Sequence, residues 1–539
     1  MQDLSPRAAD LLAQRLYEAG CRHAFGMPGG EVLTLVDALE QAGITFHLTK
    51  HENAAGFMAE AVHHRDGAPA ILVATLGPGA MNGINVVANA LQDRVPMIVL
   101  TGCVDADEAL TYTHQVMDHA QVYRSITKGT FTLTAQGADI VADKAVSLAN
   151  QPRPGPVHID VPISVADTRV SGVKKRRLAK AAAVAPEGNC VEKARRWVAD
   201  AERPIAIVGL DVLYDGSRNV VQAFLEHFGI PFVTTYKAKG VVPEDHPLCL
   251  GGAGLSPLAD KHLLPLVEQA DLVLCLGYDP IEMRPGWREV WDPDDTRVID
   301  ISAVVNDHYM HQAGLNLVAD TGATLEAIAK GNPARETWPG GEPAKVKAAL
   351  AQAFPTDEDW GPAAVIAETR ATLPADTLAT ADSGAHRILL SQMWNCSEER
   401  GLIQSSALCT MGCAVPMAIG LKLAEPDRPV ISFSGDAGFL MVAGELSTAA
   451  EMGGNPIFLV FVDASLALIE LKQRQRQMGN KGVDFDRHDF AALGRAFGGN
   501  GHTVRNRDEL RAALNDAMKA DTFTVIAAEI DRGGYDGRI

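Results

Sequence analysis

Two aspartates at the ends of neighbouring strand-like segments are the residues whose spacing most directly indicates chemistry. The apolar run 429–433 stops at Asp436, a helix pattern begins near Gly438, and a second apolar run, 456–462, ends on Asp463. Ligands bind at the carboxyl ends of strands in open α/β sheets, and paired carboxylates there suit a hard divalent cation that also holds a phosphate. A helix N-terminus at the same place favours the anion. An ordinary strand–helix–strand unit with two capping aspartates is the alternative.

Four short motifs follow one another in the first 100 residues, and two of them follow strand-like segments. They are Phe-Gly-Met-Pro-Gly-Gly at 25–30, His-Glu at 51–52, Gly-Pro-Gly-Ala-Met-Asn at 77–82 and Asp-Arg-Val-Pro at 93–96. Gly77 and Gly79 permit a ligand ring to approach the backbone closely. A single Glu at a strand–helix junction is more commonly a helix N-terminal charge than a catalyst. The order and spacing of the whole set therefore carry more weight than any one motif.

This ordered set resembles the pyrimidine-binding domain of thiamine-diphosphate-dependent enzymes of the acetohydroxyacid synthase and pyruvate oxidase group. The 27-residue spacing from Asp436 to Asp463 is similar to the cofactor signature of that family, although Ala437, Val462 and Asp463 replace its Gly, Asn and Asn. Asp463, the stretch Thr-His-Gln-Val-Met-Asp at 113–118 and the segment 276–282 are most similar to catabolic, flavin-free acetolactate synthases. The resemblance covers essentially the whole chain.

The resemblance implies that the chain binds thiamine diphosphate and Mg²⁺. The implied metal ligands are Asp436, Asp463 and the main-chain carbonyl of Ser465. Glu52 matches the catalytic carboxylate on the pyrimidine ring, and Gln115, with His114 beside it, matches a catalytic position facing the substrate. The implied cofactor-binding residues are Gly29, Gly77, Pro78, Gly79, Asn82, Gly384, His386, Met411, Gly435, Ala437 and Gly438. A core Met at 411, a surface-loop His at 386 and a polar loop residue at 115 are the alternative interpretations.

The reaction that the resemblance favours is decarboxylation of a 2-oxo acid, pyruvate in the first instance, followed by carboligation to a second one, giving 2-acetolactate. Two departures leave the substrate open. Glu31 lies near the position of a Lys in catabolic acetolactate synthases, and the run 466–473 is more similar to glyoxylate carboligase, which lacks the carboxylate that Glu52 supplies. Lys472 or Gln473 could face the acceptor or a solvated helix face. Another carboligase, decarboxylase or acetyltransferase acting on a different 2-oxo acid or aldehyde is the alternative, and a non-catalytic cofactor-binding subunit is a further one.

Composition excludes several other classes of function. The 539 residues include 47% hydrophobic and 21% charged residues, with a net charge of −19 and no long basic run, so nucleic acid and anionic membranes are not expected partners. The eight cysteines show neither zinc spacing nor a disulfide framework, which favours a reducing, cytoplasmic location. No apolar run approaches the roughly 20 residues of a membrane span.

The elements that must position these residues alternate between strand and helix patterns, which indicates parallel α/β layers. We predict an α/β protein of three domains, each a mainly parallel sheet flanked by helices. They are a pyrimidine-binding domain at 1–170, a Rossmann-like domain at 188–330 and a diphosphate-binding domain at 345–539, with linkers near 168–187 and 331–343. The central domain has no Gly-x-Gly-x-x-Gly, so we do not expect FAD.

Glu52 and Asp436 are predicted on separate sheets, yet one cofactor must touch both. The resemblance implies that the first domain of one subunit faces the third domain of another. A homodimer is therefore the expected minimal unit, and a homotetramer, as a dimer of dimers, is the expected assembly. The substrate is expected to be a small 2-oxo acid.

Overall fold

The computed structural model describes residues 5–171, 182–281 and 283–539. Most of the predicted first linker, its basic cluster at 174–177, and Glu282 of the segment 276–282 lie outside the described residues. No helix of the described chain is long and apolar enough to cross a membrane.

The first sheet has six parallel strands in the order β2-β1-β3-β4-β6-β5. Its strands are β1 (His23–Met27), β2 (Thr45–Leu48), β3 (Ala70–Ala74), β4 (Met97–Cys103), β5 (Gly129–Thr132) and β6 (Pro156–Pro162). Its helices are α1 (Ala8–Glu18), α2 (Leu33–Ala42), α3 (Glu52–Asp66), α4 (Pro78–Asn82), α5 (Ile84–Gln92), α6 (His119–Tyr123), α7 (Ala138–Asn150) and α8 (Ile163–Asp167).

The second sheet is also parallel, with the order β12-β11-β10-β7-β8-β9. Its strands are β7 (Pro204–Val208), β8 (Phe232–Thr235), β9 (Cys249–Ala253), β10 (Leu272–Leu276), β11 (Arg297–Ser302) and β12 (Leu315–Val318). Its helices are α9 (Asn189–Asp200), α10 (Asp211–Tyr214), α11 (Arg218–His227), α12 (Pro257–Val267) and α13 (Thr321–Ala329). This strand order is that of the doubly wound Rossmann fold.

The third sheet repeats the topology of the first, with the order β14-β13-β15-β16-β18-β17. Its strands are β13 (Leu378–Ala381), β14 (Leu402–Gln404), β15 (Val430–Gly435), β16 (Ile457–Val462), β17 (Asn500–Val504) and β18 (Thr524–Glu529). The helices of this part are α14 (Glu342–Ala353), α15 (Pro362–Thr372), α16 (Ala385–Met393), α17 (Ala414–Ala424), α18 (Asp436–Met441), α19 (Glu445–Met452), α20 (Ala467–Gln475), α21 (Phe490–Ala496) and α22 (Arg507–Ala517).

The predicted fold class is thus confirmed: three parallel sheets flanked by helices, the first and third sharing one topology. Central strands such as β10 and β16 are buried along their whole length, because helices cover both faces of a parallel sheet. The domain boundaries given above remain predictions.

One local prediction was wrong. The helix after β15 begins at Asp436 and not near Gly438, and a second helix, α19, precedes β16. Gly435 keeps extended dihedrals, φ −75° and ψ 158°, so the strand reaches the aspartate itself. Asp436 is therefore the first residue of a six-residue helix.

Helices α3 and α17 join the first and third domains face to face. A Cβ added to Gly420 would lie 2.3 Å from the carbonyl oxygen of Met58, so only glycine permits this approach. Side chains from both helices, including Phe57 and Met417, share one buried core. Glu52 begins α3 and Met411 precedes α17, so this packing fixes both elements.

The Asp-Arg-x-Pro motif has a structural role that joins all three domains. The Asp93 carboxylate accepts hydrogen bonds from the amides of Ser406 (3.0 Å) and Ala407 (2.8 Å) and contacts Lys237 Nζ at 2.9 Å. Arg94 donates to Asp279 Oδ2 at 2.8 Å. Neighbouring residues of one turn thus hold the third and second domains against the first.

Candidate active site

A pocket opens at the carboxyl ends of β13, β15 and β16 and gathers most of the predicted C-terminal residues. Its lining residues are Ser383, Ala385, His386, Met411, Gly435, Asp436, Ala437, Gly438, Phe461, Asp463, Ser465, Leu466, Ala467 and Tyr535. Gly384 lies beside this lining and not in it. Lys472 and Gln473 lie farther along α20 and do not line the pocket; Gln473 Nε2 donates to the Lys481 carbonyl at 3.0 Å.

The two predicted aspartates meet at this pocket. Asp436 Oδ2 accepts hydrogen bonds from the amides of Asp463 (3.1 Å) and Ala464 (2.7 Å), and Oδ1 accepts from the amide of Ala437 at 2.9 Å. Asp463 Oδ1 accepts from the Ser465 amide at 3.1 Å. Burial first, and the adjacent Asp436 second, raise the pKa of Asp463 to about 7. The strand ends therefore place two buried carboxylates side by side in fixed orientations.

Three buried polar atoms of the lining have no hydrogen-bond partner within the protein: Ser383 Oγ, His386 Nε2 and Ser465 Oγ. Buried polar groups are normally paired, so these atoms fit a polar ligand. Two hydroxyl donors beside two carboxylates suit a phosphorylated ligand held through a divalent cation. The pocket residues thus fit Mg²⁺ and the diphosphate of the implied cofactor.

Burial first, and Arg387 second, lower the pKa of His386 to about 3, so its ring is neutral. The ring stacks on Phe461, with centroids 5.3 Å apart. Phosphate oxygens in their ionised form only accept hydrogen bonds, so a contact from His386 requires the tautomer that carries hydrogen on Nε2. That tautomer gives up the hydrogen bond of the other ring nitrogen to the Asp382 backbone.

Two functional candidates escaped the sequence argument. Asp382, at the end of β13, accepts hydrogen bonds from the amides of Gly412 (2.9 Å) and Cys413 (3.1 Å) and so holds the turn that carries Met411. It is a third strand-end aspartate, and the reasoning applied to Asp436 could have found it. Tyr535 reaches the pocket from near the C-terminus, and no motif around it indicated this.

The N-terminal candidates form a second group. Glu52 is 3% exposed at the first position of α3, and its Oε2 accepts a hydrogen bond from Asn82 Nδ2 at 3.0 Å. A Cβ added to Gly79 would lie 3.1 Å from Glu52 Oε1 and 2.8 Å from Thr75 Cγ2. One added to Gly29 would lie 2.3 Å from Thr75 Oγ1. The two glycines therefore bring backbone close to Glu52 and Thr75.

Gln115 joins this group and His114 stays at its edge. Gln115 is exposed and adopts a left-handed φ of +58°, as Gly77 does with +62°. A Cβ added to Gly77 would lie 3.0 Å from Gln115 Cβ, so the two turns are in contact. His114 is exposed and touches the ring of Tyr112 edge-on. Pro78 follows Gly77 directly and begins the short helix α4.

The N-terminal group does not line the C-terminal pocket of the same chain. Every described residue that lines the C-terminal pocket belongs to the third domain, and Glu52, Asn82 and Gln115 are absent from that lining. Among the described residues there is also no cluster of three or more His, Cys, Asp or Glu side chains that could hold a metal. A metal at the two aspartates would therefore need main-chain and ligand oxygens as well.

Comparison with known proteins gives the same picture along the chain. Sequence profiles described as thiamine pyrophosphate enzyme N-terminal TPP binding domain, central domain and C-terminal TPP binding domain match residues 6–122, 191–328 and 382–528. An acetolactate synthase of Bacillus subtilis is 29% identical, covering 97% of this chain and 93% of its own length. A catabolic acetolactate synthase of Raoultella terrigena is 28% identical, covering 97% and 95%. An acetolactate synthase large subunit of Lactococcus lactis is 31% identical, covering 81% and 77%.

Proposed function

Since this chain belongs to the thiamine pyrophosphate enzymes, we propose that it decarboxylates pyruvate and joins the product to a second pyruvate, giving 2-acetolactate. The observation that carries the proposal is the pocket at the ends of β13, β15 and β16, with its two aspartates and three unpartnered polar atoms. Similarity to acetolactate synthases over nearly the whole chain supports the reaction class.

The pocket residues would hold the cofactor by its diphosphate. Asp436, Asp463 and the carbonyl oxygen of Ser465 would bind Mg²⁺, because hard cations prefer oxygen ligands. Ser383 and His386 would donate to phosphate oxygens. Gly435, Ala437 and Gly438 have no side chain or only a methyl group, which leaves room at the floor of the pocket. A Cβ on Gly438 would lie 2.0 Å from Asp382 Oδ2.

When bound, thiamine diphosphate supplies a nucleophilic carbon and an electron sink for decarboxylation. Glu52 would share a proton with a ring nitrogen of the pyrimidine, and its burial keeps water from competing for that proton. Gln115 would donate a hydrogen bond to the substrate carbonyl oxygen, where charge develops. Met411 would press an apolar surface against the cofactor from a turn that Asp382 holds.

We further propose that two chains build each site, Glu52 and its neighbours coming from one subunit and the pocket from the other. The absence of Glu52, Asn82 and Gln115 from the pocket lining of the same chain supports this. Apolar side chains are exposed beside both groups: Met117 (46%) near Gln115, and Met441 (65%) at the end of α18. A second copy would cover these surfaces. The homodimer is then the minimal active unit, and a homotetramer would be two such dimers.

Product analysis with pyruvate, Mg²⁺ and thiamine diphosphate tests the reaction. We expect one carbon dioxide and one 2-acetolactate for every two pyruvates, with no requirement for added FAD. Carbon dioxide accompanied by free acetaldehyde or acetyl phosphate would overturn the carboligation. If the cofactor-bound protein converts none of a panel of 2-oxo acids, the proposed catalytic function is wrong.

One observation favours a second candidate, carboligation to an aldehyde acceptor. Glu31 Oε2 accepts a hydrogen bond from Thr75 Oγ1 at 2.7 Å. Thr75 also lies beside Gly79, whose backbone is close to Glu52. A carboxylate close to this group would repel a second 2-oxo acid but not a neutral aldehyde. Competing pyruvate against aldehydes as acceptors distinguishes the two, and Glu31→Gln should shift the balance towards the 2-oxo acid.

A further inference from the structure

A buried histidine outside the predicted set holds the turn that carries Gly77. His119, 2% exposed at the start of α6, accepts a hydrogen bond on Nε2 from the Gly77 amide at 3.2 Å. Its Nδ1 lies 2.8 Å from Asp160 Oδ1 on β6. The imidazole therefore connects a strand-end carboxylate to the backbone of the turn.

The hydrogen positions follow from what each partner can do. The Gly77 amide can only donate, so Nε2 of His119 carries no hydrogen, and Nδ1 carries one and donates it to Asp160. Thr101 Oγ1 lies 2.8 Å from the same carboxylate oxygen and 2.7 Å from His158 Nε2. Its single hydrogen goes to the carboxylate, so His158 donates from Nε2, which agrees with the unpartnered Nδ1 of that ring.

Asp160 is the carboxylate in hydrogen-bond contact with the imidazole. The other titratable neighbours are His158, Tyr123 and Cys103. Burial lowers the pKa of His158 to about 4 and raises that of Cys103 to about 12, and burial also raises the pKa of Tyr123. All three are uncharged near neutral pH, which leaves the Asp160 carboxylate to orient the ring. Glu52 lies on the far side of the turn, where the Gly79 backbone faces it.

The turn that His119 holds touches both candidate catalytic side chains. Gly77 packs on Gln115, since an added Cβ would lie 3.0 Å from Gln115 Cβ, and Gly79 packs on Glu52 in the same way at 3.1 Å. Gly77 and Gln115 both have a positive φ. Glycine adopts such a φ freely, but a glutamine adopts it only where its surroundings hold it. A shift of the turn would therefore move Gln115 and Glu52 relative to one another.

We propose that His119 is a positioning residue. Asp160 keeps it as the Nδ1–H tautomer, and the bare Nε2 of His119 fixes the Gly77–Gly79 turn for catalysis. The proposal rests on the proposed function, because Glu52 and Gln115 are the groups it aligns. The Gly77 amide needs the lone pair of Nε2, so a side chain without an acceptor at position 119 should release the turn.

Two substitutions of similar size separate the acceptor from the bulk of the ring. His119→Gln places an amide oxygen, which accepts but does not titrate, near the position of Nε2. His119→Phe fills the space without an acceptor. We expect His119→Phe to lower kcat with pyruvate by about 10- to 100-fold, the scale of a displaced catalytic group, with KM nearly unchanged. His119→Gln should keep most of kcat.

Hydrogen exchange of the segment containing Gly77, measured by mass spectrometry, provides a readout that needs no substrate. The Gly77 amide should exchange faster in His119→Phe than in wild type and regain protection in His119→Gln. If the wild type fails to consume any 2-oxo acid, the proposed function fails while exchange still decides this proposal.

Asp160→Asn provides a variant that keeps the hydrogen bond but removes the charge. An amide oxygen at 160 can still accept from Nδ1, so the Gly77 amide should stay protected. Equal exchange in wild type and His119→Phe would overturn the proposal. So would a kcat of His119→Gln as low as that of His119→Phe.

Discussion

At the scale of single residues, the site depends on carboxylates whose surroundings differ. Asp436 receives three main-chain hydrogen bonds, whereas Glu52 receives one from Asn82. The hydrogen bonds of Asp436 fix its carboxylate in one orientation, as a cation ligand requires. Glu52 keeps one oxygen available for a ligand beside the Gly79 backbone.

Glu52→Gln should leave the fold intact and remove most activity. The amide oxygen of Gln can still accept from Asn82 Nδ2, so we expect an unchanged thermal midpoint and normal binding of Mg²⁺ and thiamine diphosphate in calorimetry. Turnover should fall by at least about 100-fold, the usual effect of losing a positioned acid–base group. Near-normal turnover in a folded, cofactor-bound variant would rule out the role of Glu52.

Glu60, two turns farther along α3, links stability to pH. It is fully buried, its Oε2 accepts from Asn89 Nδ2 at 3.1 Å, and its Oε1 has no hydrogen-bond partner. Burial raises its pKa from 4.5 to about 8. Between these values the folded state holds a proton that the unfolded chain releases, so stability falls as pH rises, by up to about 1.4 kcal/mol per pH unit.

Glu60→Gln should remove this dependence, because the amide stays neutral and its oxygen can still accept from Asn89. We expect the thermal midpoint of the variant to gain on wild type steadily from pH 5 to pH 8. Glu268→Gln, at an exposed position, is the matched control and should follow wild type throughout. Parallel curves for all three proteins would show that Glu60 does not titrate with folding.

At the scale of elements, the carboxyl end of the central sheet differs from a dinucleotide site. The loops after β7 and β10 close on each other: the Gly209 amide donates to the Leu276 carbonyl at 2.8 Å and the Asp211 amide to the Gly277 carbonyl at 3.0 Å. A Cβ added to Gly209 would lie 2.5 Å from the Gly277 carbonyl oxygen. The crevice between the two strands, where such folds bind dinucleotides, is therefore narrow.

Carboxylates also face this crevice, so we expect no FAD or other dinucleotide to bind. Asp211 and Asp300 are buried there, and burial raises the pKa of each to about 6, which leaves both mainly ionised at pH 7.5 and above. Like charge disfavours a pyrophosphate. The purified protein should show no flavin absorbance, and calorimetry with FAD or NAD at pH 8 should show no binding. Saturable binding at micromolar concentration would contradict this prediction.

At the scale of the whole molecule, complementation between subunits tests the shared site. In a mixed dimer of Glu52→Gln and Asp436→Asn chains, one shared site carries both substitutions and the other carries neither. If subunits pair at random, about half of the co-expressed dimers are mixed, so the unfractionated mixture should have about a quarter of wild-type activity. Mixed dimers purified through two affinity tags should have about half, although both parents are inactive. No restoration in purified mixed dimers would place both residues of each site in one chain. Mixing Glu52→Gln with itself under two tags is the control.

Much of this protein could be predicted from its sequence because strand ends obey simple rules. The apolar runs 429–433 and 456–462 correspond to β15 (Val430–Gly435) and β16 (Ile457–Val462) in the structure, since a buried parallel strand is apolar on both faces. The spacing of Asp436 and Asp463 located the pocket for the same reason. The roles assigned to individual site residues, the metal and the assembly remain predictions.

Only the tertiary structure decided which residues support the site. Asp382, Tyr535 and the His119–Asp160 pair contact the pocket or the Gly77 turn across long stretches of chain, and no local pattern encodes such contacts. The structure also showed that the Glu52 group does not line the aspartate pocket of the same chain. The sequence by itself determined the family, the three mainly parallel sheets and the chemistry-bearing side chains, because periodicity and motif spacing are local. Long-range packing determined how those side chains are oriented.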